Sequence, residues 1–271
     1  MTSVDADWLR RARARADAAP ERPRAPLAVA SPSRSAPHRV GSIEPGIAER
    51  MRGARLPLVR EGDGYCIAAP APRSLAAIAR WLHKEGIAAH WRNELLAVVD
   101  DAGQRVGAVE RGVVRVLGLA TDAVHLVGIA PNGATWVQRR AASKSTDPGL
   151  WDTLMGGQVA AGERVGTTLV RETMEEAGIA IADLADLEHC APILVKRPVT
   201  EGFMIERIEV FRGTVPEGTV PVNRDGEVER FECLADRALV ERLAAGEFTL
   251  EATLILGAEL ERRAAISAGF L

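Results

Sequence analysis

The stretch from Gly156 to Ile179, GGQVAAGERVGTTLVRETMEEAGI, constrains this chain more than any other. Five residues separate Gly157 from Glu163, and seven separate Glu163 from Arg171; Glu172, Glu175, Glu176 and Gly178 follow. On a helix, Glu172, Glu175 and Glu176 stand at i, i+3 and i+4 and share one face. Leu169, Thr173 and Ala177 share another, which suits packing on a sheet. Gly178 is placed to end the helix in the left-handed conformation. Like charges at this spacing cost about 0.2–0.5 kcal/mol per pair on an exposed helix. Arg171 relieves part of that cost, and a divalent cation relieves more. Mg²⁺ is the expected cofactor, with Mn²⁺ as an alternative, because hard cations prefer carboxylate and phosphate oxygens. The glycines before the helix allow backbone to approach such a site closely. A cation held there would offset the charge of a diphosphate and acidify a bound water, the conditions for attack at phosphorus.

The rest of the composition bounds the setting. The apolar fraction of 47% suffices for a real core, and 271 residues allow one large or two modest domains. A formal net charge of −3 supplies no global basic field to recruit nucleic acid or an acidic membrane, so neither is an expected partner. Cys66, Cys190 and Cys233 match neither a zinc-site spacing nor a disulfide framework, which points to a reducing, cytoplasmic location. No apolar run approaches the roughly 20 residues that span a bilayer, and the N-terminal residues lack a signal peptide's apolar core. Oligomeric state is not legible.

Along the chain, a helix is expected through Arg15, followed by a Pro-, Ser- and Arg-rich linker over residues 18–39. SLAAIARWLHKEG reads as a helix capped by Ser74 and stopped by Gly86. Leu95–Val99 reads as a strand, with a turn around Asp101–Gly103. Two apolar runs around Pro131-Asn132-Gly133 predict a hairpin; HCAPILVKR and FMIERIEVFRGTV predict further strands, and two helices are expected near 234–245 and 250–265. The texture changes between 110 and 123. The organisation expected is an extension or linker at 1–39, a small α+β accessory domain at 40–118 and a larger domain at 119–271.

Gly157 to Ile179 resembles the Nudix box, GX5EX7REUXEEXGU, in every charged and glycine position, departing only at Thr173, where a larger aliphatic residue is usual. Arg139 to Gly157 resembles the segment preceding the box in a subgroup that includes isopentenyl diphosphate isomerases and the Nudix half of fungal thiamine pyrophosphokinases, with alanine in place of that segment's serine. WRNELLAVV, VHLVGIA and NRDGEVERF resemble the thiamine-linked type, as does the preceding module. The resemblance implies an α/β fold, a Nudix α/β/α sandwich with a mixed sheet preceded by a small α+β domain. It implies hydrolysis of a small-molecule organic diphosphate to a monophosphate, with thiamine diphosphate or its oxidised analogues as substrate. An ADP-ribose- or NADH-type nucleoside diphosphate hydrolase is the alternative. An isomerase, which would need a cysteine in the pocket, and a non-catalytic sensor stand further off.

Carried onto this chain, the resemblance implies that Glu172, Glu175 and Glu176 hold metal with the Gly157 carbonyl. Glu163 would pair with Arg171 to fix the loop on the helix. Glu172 is the first choice of general base, with Glu227 or Glu229 from a later loop as alternatives; Glu172, Glu175 and Arg171 are the catalytic candidates. Arg139, Arg140 and Lys144 are candidate substrate clamps, since a diphosphate needs cations beyond its metal. Asp152 is a candidate either for orienting the loop by accepting from backbone amides or for a helix or turn cap. Trp91 to Glu94 form a polar-aromatic cluster that would either line a heterocycle pocket or make an interdomain contact.

Overall fold

The computed structural model describes residues 7–31 and 36–269. The first part of the expected N-terminal helix, residues 1–6, lies outside them. Helix α1 (Asp7–Ala16) is followed by β1 (Ala25–Val29), β2 (His38–Ile43), α2 (Pro45–Gly53), β3 (Leu58–Glu61), β4 (Gly64–Ile67), α3 (Ala71–Lys84), β5 (Leu95–Val99) and β6 (Arg105–Glu110). The second half comprises β7 (Ala120–Ile129), β8 (Thr135–Arg140), β9 (Trp151–Asp152), β10 (Met155–Gln158), α4 (Val165–Ala177), β11 (Ala185–His189), β12 (Ile193–Val199), β13 (Gly202–Thr214), β14 (Val228–Leu234), α5 (Asp236–Ala244) and α6 (Leu250–Ser267).

The accessory part builds a four-stranded mixed sheet in the order β2-β1-β4-β3 and a separate β5–β6 hairpin. Its apolar core runs from Ala25 to Leu119 and takes Leu75, Ile78 and Leu82 from one face of α3. Two expectations are corrected here. The supposed linker contains β1, and a boundary at residue 40 falls inside β2. A five-residue strand, APLAV, carries too short an alternation to stand out among Pro, Ser and Arg. Ser74 is not the cap of α3. The helix begins at Ala71 after Pro70, and Ser74 is buried within the first turns, its N–H donating to the Pro70 carbonyl at 3.2 Å. Proline at the first helical positions already lacks a donor that would need capping.

The second half is an α/β/α sandwich about a mixed eight-stranded sheet. Its main path is β11-β13-β7-β8-β14, with β10 on β7, β12 on β13 and β9 on β8. β13 and β7 are parallel, whereas their remaining neighbours are antiparallel. Alternation along β7 supplies both layers. Val124 and Leu126 face α4 with Leu169 and Ala177, while Ala123 and Val127 belong to the opposite core with α6. That second core also contains Trp8, Leu9 and Ala12 of α1. The helix expected to lead into a linker is therefore a structural layer of the C-terminal half. No helix among the described residues is long and apolar enough to cross a membrane.

Candidate active site

Helix α4 places the acidic residues. Leu169, Thr173 and Ala177 are buried on the sheet. The Thr173 hydroxyl donates to the Leu169 carbonyl at 2.6 Å, which satisfies a polar group in an apolar layer. Gly178 adopts φ 66°, and its N–H donates to the Met174 carbonyl at 3.1 Å, closing the helix.

Arg171 is the hub of the approach loop. Its Nε and Nη2 donate to the two Glu163 oxygens at 3.0 and 2.9 Å, and its Nη1 lies 2.9 Å from both Glu172 Oε1 and Glu175 Oε2. Thr168 Oγ1 also donates to Glu163, at 2.7 Å. The Arg171 bonds hold the Glu163 carboxyl below its ordinary pKa. Glu163 and Arg171 are thus brought together as a clamp between loop and helix.

The three helix acids differ in environment. Glu175 is half-exposed, Glu172 is mostly covered, and the Glu176 side chain is 1% accessible. Glu176 Oε2 accepts from Gln138 Nε2 at 2.9 Å and from the Gly156 N–H at 3.0 Å. Burial pushes its pKa up. Burial, followed by the neighbouring Glu176 charge, raises Glu172 to about 7, with Arg171 opposing. Two carboxylates buried this close are costly as anions without a cation between them.

The glycines are required by contact. A Cβ on Gly157 would sit 2.3 Å from the Glu172 carboxyl carbon, and one on Gly156 would sit 2.5 Å from the His125 ring. Val159 N–H donates to the Asp122 carbonyl at 2.9 Å, so the two-residue alternation of the β10–β7 ladder turns the Gly157 carbonyl toward β7. The backbone groups of Gly156 turn away from β7, toward Glu176. Gly156 thus meets the acids through its N–H, which donates to Glu176, and Gly157 through its close packing on the Glu172 carboxyl.

The later loop places Glu227 and Glu229 differently. Oxygens of Glu227, Asp225 and Glu176 all lie within 4.8 Å of one another. Glu229 is directed elsewhere, toward Arg139 at 3.4 Å and Arg230 at 2.8 Å. Lys144 bridges Glu227 and the Glu176 region, its Nζ bonding Glu227 and lying 3.7 Å from Glu176 Oε1. Burial is the main cause that lowers the Lys144 pKa.

Arg139 and Arg140 are largely engaged by the loop between β8 and β9. Arg140 donates to the carbonyls of Thr146 and Asp147 at 2.9 and 3.2 Å and to Asp152 Oδ2 at 3.2 Å. Arg139 donates to the Gly149 carbonyl at 3.1 Å. Asp152 Oδ1 accepts from the Thr153 N–H at 2.8 Å.

A cavity of about 430 Å³ opens over this region. Its walls include Arg140 and Lys144, but not Arg139. Glu172, Glu175 and Glu176 do not line it directly; they meet it through Gly156, Gly157 and Lys144. Trp91 stands outside, 38% exposed and bonded to Asn93, whereas its neighbour Arg92 enters the wall and bonds Ser145. Sequence reasoning missed Gly156, Gln138 and Asp225 as neighbours of the acids. Each reaches Glu176 through strand pairing or loop closure, and no local pattern marks it.

The α/β/α sandwich and the clamped acidic helix define a class. Residues 120–253 match the family model described as NUDIX domain. The chain is 34% identical over 174 residues to Nudix hydrolase 20, chloroplastic, of Arabidopsis thaliana, covering 60% of this chain and 44% of that protein. It is 27% identical over 167 residues to an isopentenyl-diphosphate Delta-isomerase of Corynebacterium glutamicum, covering 60% of this chain and 87% of that one. Among solved structures, DR0079 from Deinococcus radiodurans matches with a TM-score of 0.48 and 26% identity, covering 58% of this chain and 92% of that one. The chain spans about half the length of the first curated relatives it matches.

Proposed function

We propose that this chain hydrolyses an organic diphosphate to a monophosphate with a divalent cation. The observation that carries the reading is the convergence of buried Glu176 and mostly buried Glu172 on Gly156 and Gly157, at the wall of a cavity that also receives Lys144 and Arg140. The donor set fits Mg²⁺ or Mn²⁺. It is all oxygen, it includes carboxylates too buried to remain charged alone, and the glycine cradle leaves room for no side chain. Glu172, Glu175 and Glu176 would hold the ion, with Glu227 and Asp225 close by. When bound, it supplies charge neutralisation for the diphosphate.

The chain's own groups supply the rest. Glu172 is the first candidate to accept a proton from the attacking water, with Glu227 as the alternative. Arg171 holds Glu172 and Glu175 in register with the loop. Lys144 and Arg140 face the substrate's phosphate oxygens.

Thiamine diphosphate or an oxidised analogue remains the preferred substrate. The cavity, at about 430 Å³, is at the small end of ordinary ligand pockets. Glu206 and Glu251 line it, and their carboxylates suit a cationic heterocycle. Smaller nucleoside diphosphates are the competing class, ahead of ADP-ribose or NADH. The isomerase reading is disfavoured because none of Cys66, Cys190 and Cys233 lines the cavity.

A phosphate-release screen with and without Mg²⁺ would test the reading, using thiamine diphosphate, its oxidised analogues, ADP-ribose, NADH and dinucleoside polyphosphates. Metal-dependent release of a monophosphate is expected, lost by about a hundred- to ten-thousandfold in Glu172→Gln. Full turnover in Glu175→Gln would overturn the metal assignment.

A further inference from the structure

The accessory half turns three arginines toward the cavity, and only one of them has a close ion pair. Arg92, Arg111 and Arg115 all point into the cavity that also holds Lys144, Gly156 and Gly157. Arg111 has a close carboxylate, Glu94 at 2.7 Å. Arg115 has only a longer approach to Glu201, at 3.7 Å. Arg92 bonds the neutral Ser145 hydroxyl and forms no ion pair among the described residues. After burial, the largest influences lowering the Arg92 pKa are Arg111 and Arg115, and Arg111 also weighs on Lys144. These cations therefore sit close enough to repel across a shared space. Glu201 on the same wall and Glu94 offset part of that repulsion, but only Arg111 of the three has a carboxylate in close contact, and guanidinium groups so placed can be stabilised further by a bound anion.

The accessory half is also docked where this matters. The Ala161 N–H of the loop after β10 donates to the Leu95 carbonyl of β5 at 2.7 Å, and the Phe203 N–H donates to the Arg115 carbonyl at 2.9 Å. Arg115 is thereby tied to β13, and strand β5, which follows Arg92, is tied to the loop leading into α4.

We propose that Arg92, Arg111 and Arg115 bind the terminal phosphoryl group of the substrate, so that the accessory half completes the site and selects diphosphate monoesters over diphosphates esterified at both ends. A terminal phosphoryl presents three acceptor oxygens and close to two negative charges near neutral pH. A phosphate esterified on both sides presents one charge and two free oxygens, a poorer match to this many guanidinium donors. The inference rests on the diphosphate reading above and narrows its substrate class.

The test is equilibrium binding to the full chain without added metal, by calorimetry, so that turnover does not enter. Thiamine diphosphate and ADP represent the monoesters, and ADP-ribose the doubly esterified class. The unmodified chain is expected to bind the monoesters more tightly than ADP-ribose. Arg92→Ala should erode that preference by about ten- to a hundredfold, the cost of a charge-assisted hydrogen bond, and Arg92→Lys should restore part of it. Arg92 makes no ion pair that folding relies on, and thermal melts would confirm that each variant is folded. An unchanged preference in Arg92→Ala, or no preference in the unmodified chain, overturns the proposal. If the chain binds monoesters through Arg92 yet releases no phosphate with Mg²⁺, the hydrolase reading fails while this one stands. If it turns them over with Arg92→Ala binding unaltered, only this one fails.

Discussion

Gly157 and Glu172 stand fifteen positions apart in the chain and touch in the fold, so the smallest change at one is felt at the other. Gly157→Ala puts a methyl 2.3 Å from the Glu172 carboxyl carbon, and the neighbouring backbone belongs to a paired strand that cannot easily retreat. The expected result is about 1–3 kcal/mol of lost stability, read as a lower Tm, with phosphate release falling further than stability because the displaced carboxylate is a proposed ligand. The later carboxylates separate in the same way. Glu227 shares oxygens' reach with Glu176, whereas Glu229 is held by Arg139 and Arg230 on the outer side. Glu227→Gln should lower kcat by about ten- to a hundredfold, the usual effect of disturbing a group that supports metal ligands, while Glu229→Gln should leave it near the unmodified value. Steady-state kinetics with saturating Mg²⁺ would decide, and equal effects would contradict this placement.

Elements differ in how openly they announce themselves. Helix α4 was legible because its apolar and acidic faces are both periodic and Gly178 ends it with the required φ. The β7–β8 hairpin was legible from the apolar runs on either side of Asn132-Gly133. β11, ADLEH, was not: all five of its residues are exposed, so it has no alternation to read and forms through pairing with β13. The β5–β6 hairpin shows how an element is tied to its neighbours. Asp100 in its turn accepts from the Ala102 and Gln104 N–H groups at 3.0 and 2.8 Å, and lies 2.7 Å from His38 Nδ1 on β2. The His38 bond, followed by the Gln104 amide, lowers the Asp100 pKa. A carboxyl depressed on folding contributes in full above its unfolded pKa of about 4 and loses that contribution as pH falls through the folded value. The acid limb of a Tm-against-pH curve below about pH 4 should therefore be shallower in Asp100→Asn than in the unmodified chain. Identical limbs would remove the hairpin tie from the list of acid-sensitive contacts.

At the scale of the whole molecule, the first helix closes the last layer. Leu9 and Trp8 are buried against α6, where Gly257 leaves them room: a Cβ there would come within 2.6 Å of Leu9. Leu9→Ala should cost about 2–5 kcal/mol, visible as an earlier urea midpoint, and a fragment of residues 119–271 should melt below the full chain because it lacks α1. An equal melting temperature would show that this layer is dispensable. From its order of residues alone, this chain determined an acidic, amphipathic helix with its glycine-rich approach, since helical period and cap chemistry act over a few residues. Only the tertiary structure decided that the Gly156 N–H reaches Glu176 while Gly157 packs on Glu172, that Glu227 rather than Glu229 lies beside Glu176, and that three arginines of the accessory half line the cavity next to them. Those outcomes depend on strand register and on contacts between segments far apart in the chain, and neither leaves a periodic trace in the residues that make them.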